Sequence, residues 1–356
     1  MGQVIERQVI EARGEDRPSL YKQVTDKIVG ELEAGRVPWV QPWGSAKAGL
    51  GLPQNAASAR RYSGINVLFL WGAVIDRGFE AQSWLTFRQA LALGGHVRKG
   101  EAGTMVVYAD RFVPKDKSGG EPVGRRHGSP ACGNTEATGE RPIPFLKRFT
   151  VFNIDQCEGL PDRLYADAPP VLESLILPEA EALIRATGAK FRIGGEKAYY
   201  MPGTDSVHVP PPQAFFEPIN WHRTACHELS HWTGHTSRLA RDQSGLYGSK
   251  AYAREELVAE MAGAFVCASL NIVPTVRHAD YLGEWLSILR EDSRAIFRAA
   301  SAASKAADYL LAFRHVDQPA AGCAATEEAS EPDDASLEPC PNSCPEISPQ
   351  AAEPQR

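Results

Sequence analysis

The sequence predicts an α+β fold: a small α+β N-terminal domain followed by a mainly helical second domain. Three observations predict it. Leu20, Val24, Ile28 and Leu32 recur at helical spacing. Two strand-like runs, 104–113 and 145–154, flank a stretch rich in Gly, Pro, Ser and charge. Beyond residue 218 long helical patterns dominate. At 356 residues the chain is long for a single core and fits two domains with tails.

The elements follow in order. Residues 1–17 are polar and read as a mobile N-terminus. A helix over 18–34 has Pro18 in its first turn and Gly35 as its stop. Residues 37–44 form an extended segment of Trp and Pro. A second helix spans 64–77 and ends at Gly78. A third spans 86–93, with Thr86 as N-cap and Gly94-Gly95 as its end. His96-Val97 leads through a turn at 98–101 into the 104–113 strand, and 145–154 returns beside it. The insertion between them, 114–144, has no apolar period and reads as flexible. A linker over about 159–170 separates a first domain, 18–162, from a second, 163–315. The second begins with a helix from 173 or 177 to 187. Short strands follow at 190–193, 198–201 and 206–209, closed by Pro210-Pro211-Pro212. Helices then cover 218–233 and 251–271, with one or two more between 278 and 313. Residues 316–356 form an acidic tail expected to be disordered.

Composition excludes some classes. Charged residues make up 23% and hydrophobic ones 43%, as in a soluble globular protein. No apolar run approaches the roughly 20 residues that span a bilayer; the longest, 65–75, reads as a buried helix. The polar N-terminus lacks a signal-peptide core, so no membrane partner is expected and the expected location is the cytoplasm. The seven cysteines are scattered. Cys226 and Cys267 sit in apolar helical patterns as small hydrophobes, and Cys340 and Cys344 lie in the tail without a second ligand pair. The net charge of −6 divides unevenly: +5 over 18–160, −2 over 161–315 and −8 over 316–356. A basic first half is compatible with a polyanionic partner.

The chemistry concentrates in His227-Glu228-Leu229-Ser230-His231. On a helix, residues four apart project from one face, so both imidazoles can reach one ion. Glu228 lies off that face, where it can contact a water rather than the ion. His-Glu-x-x-His therefore supplies two ligands and a general base. On the next helix Glu256 stands one turn before Glu260 in an apolar stretch, where carboxylates are expensive unless paired or metal-bound. Two imidazoles and one carboxylate leave a position for water, the composition of a catalytic site for Zn2+ or another divalent ion. The ion would acidify that water, and Glu228 would accept its proton during attack on an amide carbonyl. Glu256-x-x-Ala259-Glu260 resembles the Glu-x-x-Ala-Asp pattern of gluzincin peptidases. The resemblance implies Glu256 as third ligand and Glu260 as hydrogen-bond partner of a ligand histidine. Glu in place of Asp at 260 is a departure and keeps Glu260 open as the alternative ligand. Glu255 reads as a solvated surface charge. The metzincin pattern extends to Gly234 but fails at position 237, which is Ser, and His235 points elsewhere. His96, His208 and His222 read as structural or surface residues. Tyr199, Tyr247 and Tyr252 are open candidates for an oxyanion donor.

In the first half, Trp39, Trp43, Tyr62, Trp71, Trp84 and Phe87 lie among Arg60, Arg61, Arg88, Arg98 and Lys99. Aromatics interleaved with cations suit base stacking and phosphate neutralisation. The DNA-contact candidates are Arg60, Arg61, Tyr62, Trp84, Arg98 and Lys99. The competing expectation is that most of these aromatics are core.

A set of linked motifs then becomes recognisable: Leu20-Tyr21, Trp39-x-x-Pro42-Trp43, Pro53-x-Asn55, Arg61-Tyr62-x-Gly64-x-Asn66, Trp84-x-Thr86-Phe87-x-Gln89, Val97-Arg98-Lys99-Gly100-Glu101 and Phe152-Asn153-x-x-Gln156-x-x-Gly159-Leu160-Pro161. Together with 227–231 and 255–260 they resemble the ArdC-type antirestriction proteins and the related N-terminal module of conjugation-associated DNA primases. The resemblance covers about 18–313 and departs at the insertion and the tail. It implies a mobile-element protein with a first domain that binds single-stranded DNA and a zincin-like second domain. It also implies protection of incoming DNA from host restriction during conjugation, with a host restriction enzyme or other protein as a further partner. The alternative is a genuine DNA-associated zinc metallopeptidase with Glu228 as general base.

Overall fold

A computed structural model describes residues 19–40, 48–112, 143–165, 173–275 and 281–315. The N-terminus 1–17, Pro18, Trp43, nearly all of the insertion, the second part of the linker, Cys340, Cys344 and the acidic tail lie outside the described residues.

Helix α1, Leu20–Glu33, starts where the Ser19 hydroxyl accepts from the Lys22 amide at 3.2 Å, and it buries Val24, Ile28 and Leu32. Gly35 follows with φ of 74°, the left-handed turn that ends a helix. Strand β1, Gln54–Asn55, precedes α2, Ile65–Arg77, which ends at a left-handed Gly78. Strand β2, Ser83–Leu85, leads into α3, Phe87–Ala92, where Thr86 and Gln89 form a reciprocal capping box. After β3, His96–Val97, the long hairpin strands β4, Thr104–Phe112, and β5, Ile143–Asn153, pair antiparallel from Thr104↔Val151 to Phe112↔Ile143. The sheet order is β1-β2-β5-β4, and β3 pairs separately with β6, Cys157–Glu158. The Asn66 side chain clasps both the amide and the carbonyl of Val107 at 2.8 Å, fixing α2 on the hairpin. Strands β1, β2 and β6, two or three residues each, go unread in the sequence.

The second half opens with α4, Glu173–Ala186. Strands β7, Lys190–Ile193, β8, Tyr199–Met201, and β9, Ser206–Val209, make a sheet of order β7-β9-β8. Helices α5, Pro218–Trp232, α6, Lys250–Ser269, α7, Leu282–Glu291, and α8, Ala295–Leu311, follow. Helix α6 is buried on all sides from Glu255 to Ala268, so it forms the axis of this half. Its small residues allow close approach: a Cβ on Gly263 would stand in van der Waals contact with the His227 Cα, at 3.5 Å.

The two halves share one hydrophobic cluster. Trp39 meets Trp285 edge-on with ring centroids 5.6 Å apart, Tyr21 meets Phe297 at 4.8 Å, and Trp71 meets Phe265 at 5.6 Å. The Thr25 hydroxyl donates to the Ser293 carbonyl at 2.7 Å. Among the described residues no helix is long and apolar enough to cross a membrane.

Candidate metal centre and basic face

Helix α5 begins with Pro218, whose missing N–H costs nothing in a first turn. It runs into the core, so His227, Glu228 and Leu229 are all buried. The His227 and His231 rings lie 4.9 Å apart and nearly perpendicular, at 81°. Helix α6 packs beside them and brings Glu256 between the two. Its Oε2 is 3.5 Å from His227 Nε2, and its Oε1 is 3.5 Å from His231 Nε2. One donor atom from each of His227, His231 and Glu256 falls within 4.8 Å of the others. Tetrahedral ligands at zinc-like bond lengths are separated by about 3.3 Å, so this donor set fits a divalent ion with small adjustment. Burial would raise the Glu256 carboxyl, but the two imidazoles beside it pull it far below the usual carboxylate range. Glu260, the other candidate, stands behind His227: its Oε1 is 3.9 Å from Nδ1, outside the three-donor group.

Glu255 corrects the sequence reading. It is buried rather than solvated, and it accepts from His231 Nδ1 at 3.2 Å, which directs Nε2 toward Glu256. Arg241 holds it from the other side with two bonds, Nε to Oε2 at 3.0 Å and Nη2 to Oε1 at 2.7 Å. Gln243 donates to the same carboxylate at 3.1 Å and to the His231 carbonyl at 2.7 Å. Burial opposes its ionisation, but His231 and Arg241 outweigh that and keep Glu255 charged. In the protein alone, burial would lower His231, yet Glu255 and Glu256 together raise it to about 10. Gly234 makes this clamp possible, because a Cβ there would come within 2.6 Å of the Gln243 amide and 2.9 Å of the Arg241 guanidinium. Arg241 and Gln243 lie in a loop without periodicity, so no sequence signal points to them.

A cavity of about 220 Å³ opens on the three donors, and Glu228, Tyr199, Tyr200 and Tyr252 line it. Burial first, and Glu256 second, push the Tyr252 hydroxyl upward, so it stays a neutral donor at physiological pH. Tyr199 also borders the cavity; Tyr247 does not line it and is largely exposed. The other histidines weighed from the sequence lie elsewhere. His208 stacks on Tyr199, His222 Nδ1 bonds the Pro218 carbonyl, and His235 Nδ1 bonds Ser237. His96 faces Glu158 at 3.5 Å on the surface.

The DNA-contact candidates divide. Arg60, Arg61, Arg98 and Lys99 are exposed, though Arg98 is paired with Glu101 at 2.8 Å. Tyr62 is half-buried, and burial raises its hydroxyl. Trp84 is 0% exposed and edge-on to Phe79 at 5.8 Å. An indole closed off from solvent cannot stack on a base, so Trp84 is a core residue, as are Trp39 and Trp71. Among the described residues of the first domain, the exposed aromatics are Phe87 on α3 and Tyr108 and Phe149 on the hairpin. Tyr108 pairs directly with Lys147, which puts Tyr108, Lys147 and Phe149 on one face.

Comparison with known proteins adds to this geometry. Residues 18–152 match the N-terminal domain of anti-restriction factor ArdC, and residues 178–302 match the zincin-like metallopeptidase family. The protein y4eC of Sinorhizobium fredii is 39% identical over 304 residues, covering 82% of this chain and 92% of its own. Two Escherichia coli proteins described as DNA primase TraC are each 38% identical over 84% of this chain. The chain spans only 28% and 20% of their lengths. The metal-free crystal structure of antirestriction ArdC protein from the R388 plasmid superposes with a TM-score of 0.67 at 39% identity, over 83% of this chain and 97% of that one. Its Mn(II)-bound structure gives 0.65 at 37%, over 85% and 100%.

Proposed function

The chain belongs to the ArdC family of antirestriction proteins, and from that premise we propose that it binds single-stranded DNA and protects DNA entering a cell by conjugation from host restriction. Residues 18–162 carry the DNA-binding role in this reading, and residues 163–315 carry a centre for zinc or another divalent ion. The observation that carries it is the convergence of His227, His231 and Glu256 in a chain whose first half matches the ArdC N-terminal domain. The Mn(II)-bound relative supports a divalent ion, and the donor set of two imidazoles and a carboxylate suits zinc.

Each side chain has a task in this reading. His227 and His231 present Nε2, and Glu256 supplies the anionic oxygen. Glu255, clamped by Arg241 and Gln243, fixes the His231 tautomer and ring plane. Glu260 stands behind His227 on the Nδ1 side. When bound, the ion supplies Lewis acidity and lowers the pKa of a coordinated water. Glu228, on the cavity wall, accepts a proton there, and Tyr252 offers a neutral hydroxyl to developing negative charge.

The test is transfer of plasmid DNA into restricting and non-restricting recipients, with and without the protein. Protection should appear only in the restricting recipient; equal transfer with and without the protein there would reject the reading. A parallel Glu228→Ala variant separates chemistry from structure. It should keep metal content and DNA binding, while any peptide hydrolysis by the parent should fall by roughly 10²–10⁴-fold. Loss of metal in that variant would make Glu228 a ligand and overturn its role as base.

A further inference from the structure

A groove of about 750 Å³ lies along α8, lined by Tyr21, Arg294, Phe297, Arg298, Ser301 and Lys305. Positions 294, 298, 301 and 305 follow helical spacing, so they form one stripe about 16 Å long. All four are exposed. Two further arginines, Arg238 and Arg241, border the groove but are spent inward, on Asp205 at 2.5 Å and on Glu255 at 2.7 Å. Arg298 shares its charge with Asp292. Among the described residues Arg294 and Lys305 have no carboxylate partner, and the Arg294 guanidinium instead lies 4.9 Å above the Tyr21 ring. No carboxylate appears among the described residues that line the groove.

The stripe continues onto the first half. The Gly64 amide donates to the Ser304 hydroxyl at 2.8 Å, and a Cβ on Gly64 would lie 3.9 Å from the Ser301 amide. The exposed Arg60 and Arg61 therefore sit on the loop that docks onto α8 beside Ser301 and Ser304. An elongated run in which cations outnumber carboxylates, with Asp292 beside Arg298 and Asp308 near Arg61, and with an aromatic pair at its edge matches a phosphodiester strand with unpaired bases.

We propose that the α8 face bearing Arg294, Arg298, Ser301 and Lys305, together with Tyr21 and the Arg60-Arg61 loop, seats the backbone of single-stranded DNA. The metal-bearing half thus contributes directly to strand binding. This inference rests on the DNA-binding reading above and adds to it a surface in the half that the charge balance leaves acidic.

The experiment uses the full chain and a labelled oligodeoxythymidylate, with affinity measured by anisotropy across a salt series. The double variant Arg298→Gln, Lys305→Gln should weaken binding by on the order of tenfold at moderate salt. It should also flatten the plot of log affinity against log salt by about 1.4, roughly 0.7 for each lost phosphate contact. Two substitutions at the exposed Ser301 guard against simple misfolding. Ser301→Glu should weaken binding, and Ser301→Lys should tighten it with a steeper salt dependence, which no loss of structure can mimic. Unchanged affinity and slope in both Ser301 variants, with a parent that binds, overturns this surface and leaves the DNA-binding reading standing. A parent that fails to bind the strand at any salt rejects the DNA-binding reading itself.

Discussion

The metal centre and the basic face are built on opposite principles. At the centre four glutamates, 228, 255, 256 and 260, and His227 are buried, with the His231 side chain nearly so, against one another in the interior. The histidines and Glu255, Glu256 and Glu260 face one another across neighbouring helices, so their positions depend on packing. On the face the cations are exposed and mostly end in solvent, and their value lies in number and spacing. A site of the first kind fails sharply when one member is removed. A site of the second kind fades gradually.

That contrast can be broken or sharpened by measurement. The largest effect is expected for the double variant His227→Ala, His231→Ala. Metal content by elemental analysis should fall from about one ion per chain to near zero; full retention would sink the ligand assignment. Next comes Glu255→Ala, which leaves the largely buried Arg241 guanidinium without its carboxylate and His231 without its Nδ1 acceptor. Denaturant unfolding should show a loss of about 3–5 kcal/mol, against the roughly 0.5 kcal/mol of a surface charge. A loss near the lower figure would return Glu255 to the solvated role read from sequence. The smallest effect belongs to the face. Arg60→Gln with Arg61→Gln should leave stability unchanged and reduce strand affinity by a few-fold, with a shallower salt dependence. Trp84→Phe is the counterpart: it should lower stability and leave the salt dependence untouched. A change in that slope for Trp84→Phe would mean the indole reaches DNA after all.

The same contrast explains what the sequence made legible. Helices α1, α2 and α5 announce themselves because burial imposes a period on their apolar residues, and α6 because its apolar run is long. His227, Glu228, His231 and Glu256 stand out as polar groups inside such patterns. Glu255 was misread because α6 is buried all around, so its period no longer tells inside from outside. Arg241, Gln243 and Gly234 act from a loop, where no period exists. Strands β1, β2 and β6 are too short to alternate. Trp84 looked like a stacking residue because proximity to arginines in sequence says nothing about which way an indole points. The α8 stripe falls in a helix the sequence predicts, but its meaning appears only when the Arg60-Arg61 loop is seen docked beside it.

With Trp39 resting edge-on against Trp285 and Tyr21 against Phe297, neither half has a finished surface of its own. A recombination joint between residues 165 and 173 would hand a new gene the helix α1 without its neighbour α7. Inheritance should therefore favour both halves as one cassette. The TraC primases carry the likeness in that form, as a stretch of 304 or 305 residues inside a much longer chain. For anyone assembling chimaeras from this family, the natural seams lie outside the shared core, not at the midpoint where the two family matches meet.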